Sequence, residues 1–271
     1  MKVKNTIGYE ELNPNNVKIK CSIIIPVYNN YNFTKACLKD LSKLSYEYEV
    51  IVVDNASDDN TINLELLPKE DLPCRFVYLR NDFNAGFSRA SNRGFSIANG
   101  EYILFLNNDI RVKKEYGKWV EPLLKEAEDG SLVGVNVGAI DKNFNFINEY
   151  NPIEILKETL TPGIVTNVKM AFLEKINSNY IYYLSGWCLC ASKKTFNKLK
   201  INDYIGPFSE EFWTYFEDTD LSIRADKINI IMKAVYVPVT HFGKMTSKKV
   251  GLQNLYSKAK IIFLNKWKNK I

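Results

Sequence analysis

Four short, nearly unbroken apolar runs punctuate the first hundred or so residues: Cys21 to Pro26 (CSIIIP), Glu49 to Val53 (EVIVV), Arg75 to Leu79 and Tyr102 to Leu106 (YILFL). Runs of this length without polar alternation predict strands covered on both faces. Between the first two, Phe33, Cys37, Leu38, Leu41 and Leu44 recur at helical spacing. A turn-forming stretch, Asn55 to Asn60, leads from Asp54 into a short helical segment, and Gly86 to Ala98 reads as a helix. Strands alternating with helices imply right-handed βαβ units and a mainly parallel sheet.

The pattern changes after residue 110. Lys114 to Glu128 predicts a helix, then Leu132 to Ile140 and Asn145 to Tyr150 predict strands around a turn near Asp141. Residues 151–179 carry little pattern and suit loops with an edge strand. Tyr180 to Leu184 and Cys188 to Ala191 read as strands flanking Gly186, followed by short helices at Lys193 to Leu199 and Asp218 to Lys227. Ile228 to Val237 predicts a strand. Leu252, Leu255, Tyr256, Ala259, Ile262, Phe263 and Trp267 form an amphipathic stripe on a C-terminal helix. With no internal repeat and no low-complexity linker, the chain reads as one α/β domain over 1–271. It has an N-terminal extension (1–20), two halves (21–110 and 111–240), and a C-terminal loop and helix (241–271).

Composition narrows the class. Of 271 residues, 46% are apolar and 25% charged, the balance of a globular domain. No apolar run approaches the length needed to span a bilayer, and the polar start with Pro14 does not read as a signal peptide. Cysteines 21, 37, 74, 188 and 190 show no metal-ligand spacing and suit reduced thiols in the cytoplasm. A net charge of +5 is too small to argue for nucleic acid. The lysines crowding the C-terminus, with Trp267, could touch an anionic membrane surface; a solvated outer helix face explains them equally well.

In open parallel sheets ligands bind beyond the carboxyl ends of the strands. Three polar clusters fall there: Pro26-Val27-Tyr28-Asn29, Asp54-Asn55-Ala56-Ser57 and Asn107-Asn108-Asp109. One cluster is only what turns favour, but three on one rim call for a common ligand. After five apolar residues and two asparagines, the Asp109 carboxylate can hold Mg²⁺ or Mn²⁺ while a diphosphate fills other coordination positions. His241, the only histidine, follows a strand-like run at an expected loop; as a second ligand it would lean towards manganese. Glu217-Asp218-Thr219-Asp220 crowds three carboxylates into a helix start. Acidic residues favour that position in any helix. The aromatic approach Phe212-Trp213-Thr214-Tyr215-Phe216, however, could desolvate a carboxylate and fit it as a general base.

Together the segments SIIIPVYNN (22–30), VIVVDNASDD (50–59), NAGFSRASNRGFSIANGEYILFLNNDI (84–110) and GPFSEEFWTYFEDTDLSIRADK (206–227) resemble the family-2 glycosyltransferases of GT-A fold. The resemblance implies a nucleotide-sugar-binding half at 21–110 and an acceptor-binding half at 111–240. It implies that Pro26, Tyr28, Asn29 and Asp54 line the nucleotide site, with Asp54 on the base. Asn84, Gly86, Phe87 and Asn92 would shape the donor pocket. Asn107, Asn108 and Asp109 would take the place of the DxD motif, and Gly186 and Trp187 would face the acceptor. Asp218 would be the catalytic base with Glu217 supporting it, and His241 the C-terminal metal ligand beside Asp109.

The reaction implied by the resemblance is inverting transfer from a thymidine- or uridine-diphosphate sugar to a glycan or lipid-linked acceptor, as in rhamnosyl- and galactofuranosyltransferases. Two departures stand out: Asn-Asn-Asp offers one carboxylate, and Lys258 or Lys260 stands where many relatives have an arginine. Asp220 and Arg224 read as a structural i,i+4 pair. Two rival readings remain. A sugar nucleotidyltransferase usually has a glycine-rich, basic loop after its first strand, whereas Pro26 to Asn32 contains neither glycine nor a basic residue. A non-catalytic nucleotide- or glycan-binding module would have no need of Asp109, Asp218 and His241 together.

Overall fold

The computed structural model describes residues 17–45, 47–73, 75–112, 117–141, 143, 145, 165–167, 180–203, 205–243, 252–268 and 270. In chain order the strands and α-helices are β1 (Cys21–Val27), α1 (Tyr31–Leu41), β2 (Tyr48–Asp54), β3 (Phe76–Arg80), α2 (Gly86–Ile97), β4 (Tyr102–Leu106) and β5 (Ile110–Val112). Next are α3 (Glu121–Ala127), β6 (Leu132–Gly134), β7 (Val137–Asp141), β8 (Val165–Asn167), β9 (Tyr180–Leu184), β10 (Cys188–Ser192) and α4 (Lys193–Lys198). Last come α5 (Glu217–Lys227), β11 (Met232–Val235), β12 (Val239–His241) and α6 (Leu252–Trp267). They divide between two compact units, Met1–Trp119 with Pro238–Leu252, and Val120–Val237 with Gln253–Ile271.

In the first unit the strands run in the order β3-β2-β1-β4, all parallel. Ile23, Ile24 and Ile25 of β1 and Val50 to Val53 of β2 are wholly buried, as their unbroken apolar runs predict. Each such side chain contributes about 1.5–3 kcal/mol of transfer free energy. Gly94 lets α2 lie flat on these strands, because a Cβ there would collide with Ile24 and press Val53. The chain steps outwards from β1 to β2 to β3, then α2 returns it to β4 on the other side of β1. That reversal opens a crevice at the carboxyl ends of β1 and β4, where such folds receive ligands. Beyond β4 the chain turns into β5, which pairs antiparallel with β12.

The second unit is mixed. β10 and β6 are antiparallel, β6 and β11 parallel, and β8 lies antiparallel on the edge beside β11. β7 and β9 form a separate antiparallel ladder. The chain therefore has the expected mainly parallel α/β core with a mixed β extension and a C-terminal helix.

Boundaries moved where tertiary pairing outweighed local pattern. The run 132–140 splits into β6 and β7, which join different sheets. At the split the amide of Ser185 donates to the Asn136 carbonyl (2.8 Å), and a Cβ at Gly134 would press Leu184. The strand expected over 228–237 shortens to β11, since Asn229 adopts a left-handed φ of 58°. Of the helix expected over 114–128, α3 covers 121–127, and residues 113–116 lie outside the described residues. Most of the strand expected over 145–150 also lies outside them, whereas β8 supplies an edge strand within 151–179.

The stripe on α6 packs inwards as its spacing predicts. Phe263, Ala259 and Trp267 join Phe212, Phe216, Ile223 and Ile140 in one core cluster. Trp267 is therefore unavailable to a lipid surface: it is 5% exposed, and its Nε1–H donates to Asp220 at 2.9 Å. Lys258, Lys268 and Lys270 face outwards. No described helix is long and apolar enough to cross a membrane.

Candidate functional site

The three polar clusters fall at the carboxyl ends of β1, β2 and β4, and hydrogen bonds stitch the first two together. Asn29 and Asn30 take left-handed φ values of 57° and 65°, turning the chain sharply from β1 into α1. The amide of Asn29 donates to Ser57 Oγ at 2.7 Å, and the amide of Asp58 donates to Asn29 Oδ1 at 2.9 Å. Pro26 and Tyr28 are partly exposed beside this stitch. Asn55 reaches the start of α2: its Nδ2 donates to the Gly86 carbonyl at 3.2 Å, and its Oδ1 accepts from Asn81 at 2.7 Å. Gly86 carries a φ of 84°, which costs glycine little, and its amide donates to Asn84 Oδ1 at 3.1 Å. Phe87 is half-buried and Asn92 buried on α2.

Asp54 is wholly buried. Its Oδ1 accepts from the amide and hydroxyl of Ser57 at 2.9 and 2.5 Å. Its Oδ2 accepts from Tyr78 at 2.6 Å and pairs with Arg80 Nη1. Burial, then the bond to Asp54, pushes the Tyr78 hydroxyl's pKa up. Sequence reading missed Tyr78 and Arg80. They stand two apart on one face of β3, and only the parallel register that sets Arg80 beside Asp54 reveals their part.

Asp109 and His241 come together through the β5–β12 ladder, which places His241 opposite Ile110. The Phe242 amide donates to the Asp109 carbonyl at 2.9 Å, extending the ladder by one bond. His241 is thus the last residue of a strand, not a loop residue. Its Nε2 lies 3.1 Å from Asp109 Oδ1 and 3.3 Å from Asn107 Nδ2. Asn108 is turned away and donates to Thr34 Oγ1 of α1 at 2.8 Å. Asp109 is 6% exposed, and its Oδ1 is buried without a hydrogen-bond partner.

An orphaned carboxylate oxygen beside an imidazole nitrogen suits a divalent cation. Adjacent corners of an octahedron with bonds near 2.1 Å lie about 3.0 Å apart, close to the observed separation. Among the described residues no group of three or more His, Cys, Asp or Glu could hold a metal. A cation here would therefore draw its other ligands from water and from the bound molecule.

The second unit carries the other candidate residues. Two consecutive aromatic residues, Tyr215 (φ 68°) and Phe216 (φ 65°), are left-handed just before α5. Phe216 packs on Phe263 and Tyr256 with ring centroids 4.8 and 5.5 Å apart. From this turn α5 presents Glu217 and Asp218. Asp218 Oδ2 accepts from the Gly186 amide at 2.9 Å, and its Oδ1 from the amide and hydroxyl of Thr219 at 2.7 and 3.2 Å. A Cβ at Gly186 would crowd Asp218. Trp187, next in the chain, is buried. Glu217 Oε2 is buried with no partner.

Burial, then the neighbouring Asp218 charge, pushes the Glu217 carboxyl well up from its ordinary value. Burial also raises Asp218, against the pull of its three donors. One proton shared by this pair therefore belongs on Glu217, with Asp218 left as the anion. Asp220 is structural as expected: wholly buried, it pairs with Arg224 at 2.8 Å and Lys266 at 2.9 Å and accepts from Trp267. Lys260 Nζ donates to Asn145 Oδ1 at 2.7 Å.

The parallel α/β sheet of the first unit and the mixed second unit together define the chain as a member of the GT-A fold class. The description "Glycosyl transferase family 2" matches residues 22–185, more than half the chain, and the chain belongs to that family. A poly(ribitol-phosphate) β-N-acetylglucosaminyltransferase, TarS of Staphylococcus aureus, is 25% identical over 90% of this chain and 40% of its own length. The chain spans less than half the length of the curated relatives it matches. Among solved structures, S. aureus TarS 1-349 with UDP-GlcNAc superposes with a TM-score of 0.54 at 19% identity, covering 91% of this chain and 67% of that one. A Pyrobaculum calidifontis mannosyltransferase with GDP-Man and Mn²⁺ gives 0.54 at 14% identity, covering 80% and 55%. At those identities the structures bear on fold alone.

Proposed function

We propose that the protein is an inverting glycosyltransferase that moves a sugar from a uridine- or thymidine-diphosphate donor to a hydroxyl of a glycan or lipid-linked acceptor. The observation that carries this reading is the convergence of Asp109 Oδ1 and His241 Nε2 at the sheet's switch point, where a diphosphate would complete a cation's shell. Two relatives' ligands, UDP-GlcNAc and GDP-Man with Mn²⁺, are of this donor class, and the first favours uridine. A cation held by Asp109 and His241 would neutralise the charge of the departing diphosphate, with manganese suiting the imidazole better than magnesium.

The chain's own groups account for the rest. Pro26, Tyr28 and Asn29 border the nucleotide's place, and the Asp54–Arg80–Tyr78 bracket stiffens its floor. Gly86, Asn84, Phe87 and Asn92 shape the wall beside the donor sugar. Asp218, anionic and held by Gly186 and Thr219, takes the proton of the acceptor hydroxyl. The hydroxyl oxygen bonds to the anomeric carbon as that carbon's bond to the phosphate oxygen breaks, and the nucleoside diphosphate leaves with the electron pair. Neutral Glu217 keeps a second negative charge away from the incoming hydroxyl, and Trp187 borders the acceptor. The printed activity of the TarS relative, on poly(ribitol phosphate), favours a place in surface polysaccharide or glycoconjugate synthesis on the cytoplasmic side, with outward Lys258, Lys268 and Lys270 meeting an anionic surface.

Release of nucleoside diphosphate from a panel of nucleotide sugars tests the reading. Asp218→Asn should lower transfer about 10²–10⁴-fold while leaving donor affinity unchanged. Transfer at the wild-type rate would show the base to be misassigned.

A further inference from the structure

The acid–imidazole pair depends on a two-stranded ladder, and β5 has only three residues. The ladder's hold comes from α1. Thr34, Cys37 and Asp40 are spaced three apart on one buried face of that helix. Thr34 Oγ1 accepts from Asn108, the residue before Asp109. Asp40 Oδ2 accepts from Arg111 Nε at 2.8 Å and from the Val112 amide at 3.0 Å, and its Oδ1 lies 3.4 Å from Arg111 Nη2. The Asp40 side chain is 5% exposed. Asp109 is therefore gripped from both sides by one helix. The grip after it also fixes β5, the strand whose pairing brings His241 within reach.

We propose that Asp40 is a positioning residue for the Asp109–His241 pair, acting through Arg111 and the backbone of β5. The inference deepens the metal-assisted reading and rests on it for its consequence, though not for its test. No motif includes Asp40, and it touches neither of the two residues it would position. Its carboxylate charge matters because a charge-assisted bond to Arg111 and a backbone bond to Val112 hold the strand at two points. Losing an outer support of this kind typically lowers metal affinity about 10- to 100-fold.

His241 is the only histidine, so its imidazole gives a single set of ring-proton NMR signals, readable without any metal. In Asp40→Asn and in Arg111→Gln the ring signal should move towards its position in the denatured protein. In Lys39→Gln, which lies on the same helix and breaks a pair with Asp71 outside it, it should stay put. Mn²⁺ should broaden the ring signal of the wild-type protein, and about tenfold more Mn²⁺ should be needed in the first two variants. An unmoved ring signal in Arg111→Gln, with amide signals native elsewhere, would overturn the proposal; that variant changes a half-exposed side chain and decides the matter if Asp40→Asn fails to fold. If the ring moves as expected but Mn²⁺ broadens nothing even in the wild-type protein, the positioning role stands and the metal reading falls.

Discussion

Glu217 and Asp218 are neighbours in sequence with opposite surroundings. Asp218 has three donors, while Glu217 Oε2 has none. Both carboxyls are raised in the folded state, Glu217 the more strongly. Unfolded carboxyls titrate near pH 4, so the fold disfavours ionising this pair. Their contribution to stability is then complete below about pH 4 and is lost as pH climbs through the raised folded values. Glu217→Gln removes the group with the larger penalty while keeping its shape. Its melting temperature relative to wild type should rise as pH climbs above the ordinary carboxyl range, towards the raised folded value. A difference that stays flat from acid to neutral pH would mean that Glu217 is not held neutral.

At the scale of elements, α5 and α6 depend on one another through Asp220. This wholly buried carboxylate gathers Arg224 of its own helix and both Lys266 and Trp267 of α6. Arg224 in turn donates to the carbonyls of Leu199 and Pro207, tying in the preceding loop. Removing one partner of such a buried network leaves the others uncompensated. Asp220→Ala should cost about 3–5 kcal/mol, read as a lower urea midpoint. The same network helps to hold the left-handed Tyr215 and Phe216, each strained by about 1–2 kcal/mol. The aromatic cluster with Tyr256 and Phe263 offsets that strain, so the turn presenting Glu217 and Asp218 is set by a helix some forty residues away in the chain.

For the whole molecule the decisive measurement is linkage between ligand and stability. A nucleotide present at about a hundred times its dissociation constant for the native state should add about 2.7 kcal/mol. Uridine diphosphate with Mn²⁺ should raise the melting temperature, and chelation should remove part of the increase. Asp109→Asn should erase the increment due to metal and leave the part due to nucleotide alone. If no nucleoside diphosphate moves the transition, with or without metal, the donor reading fails.

The chain's apolar runs and its three polar clusters were enough to predict a parallel α/β sheet with a polar rim. Strand type and helix spacing are local properties, and clusters at strand ends must share one edge when strands are parallel. Motif order carried the resemblance to the family, including Asp109, Asp218 and His241. Local pattern could not tell that 132–140 serves two sheets, because pairing partners are distant in sequence. Nor could it show that Asp54 lies sealed against Tyr78 and Arg80, or that Asp40 grips β5, since those contacts arise from register and helix docking. At Asp109, sequence supplied a lone carboxylate, and only the β5–β12 ladder brings a histidine 132 residues further along the chain to 3.1 Å from it.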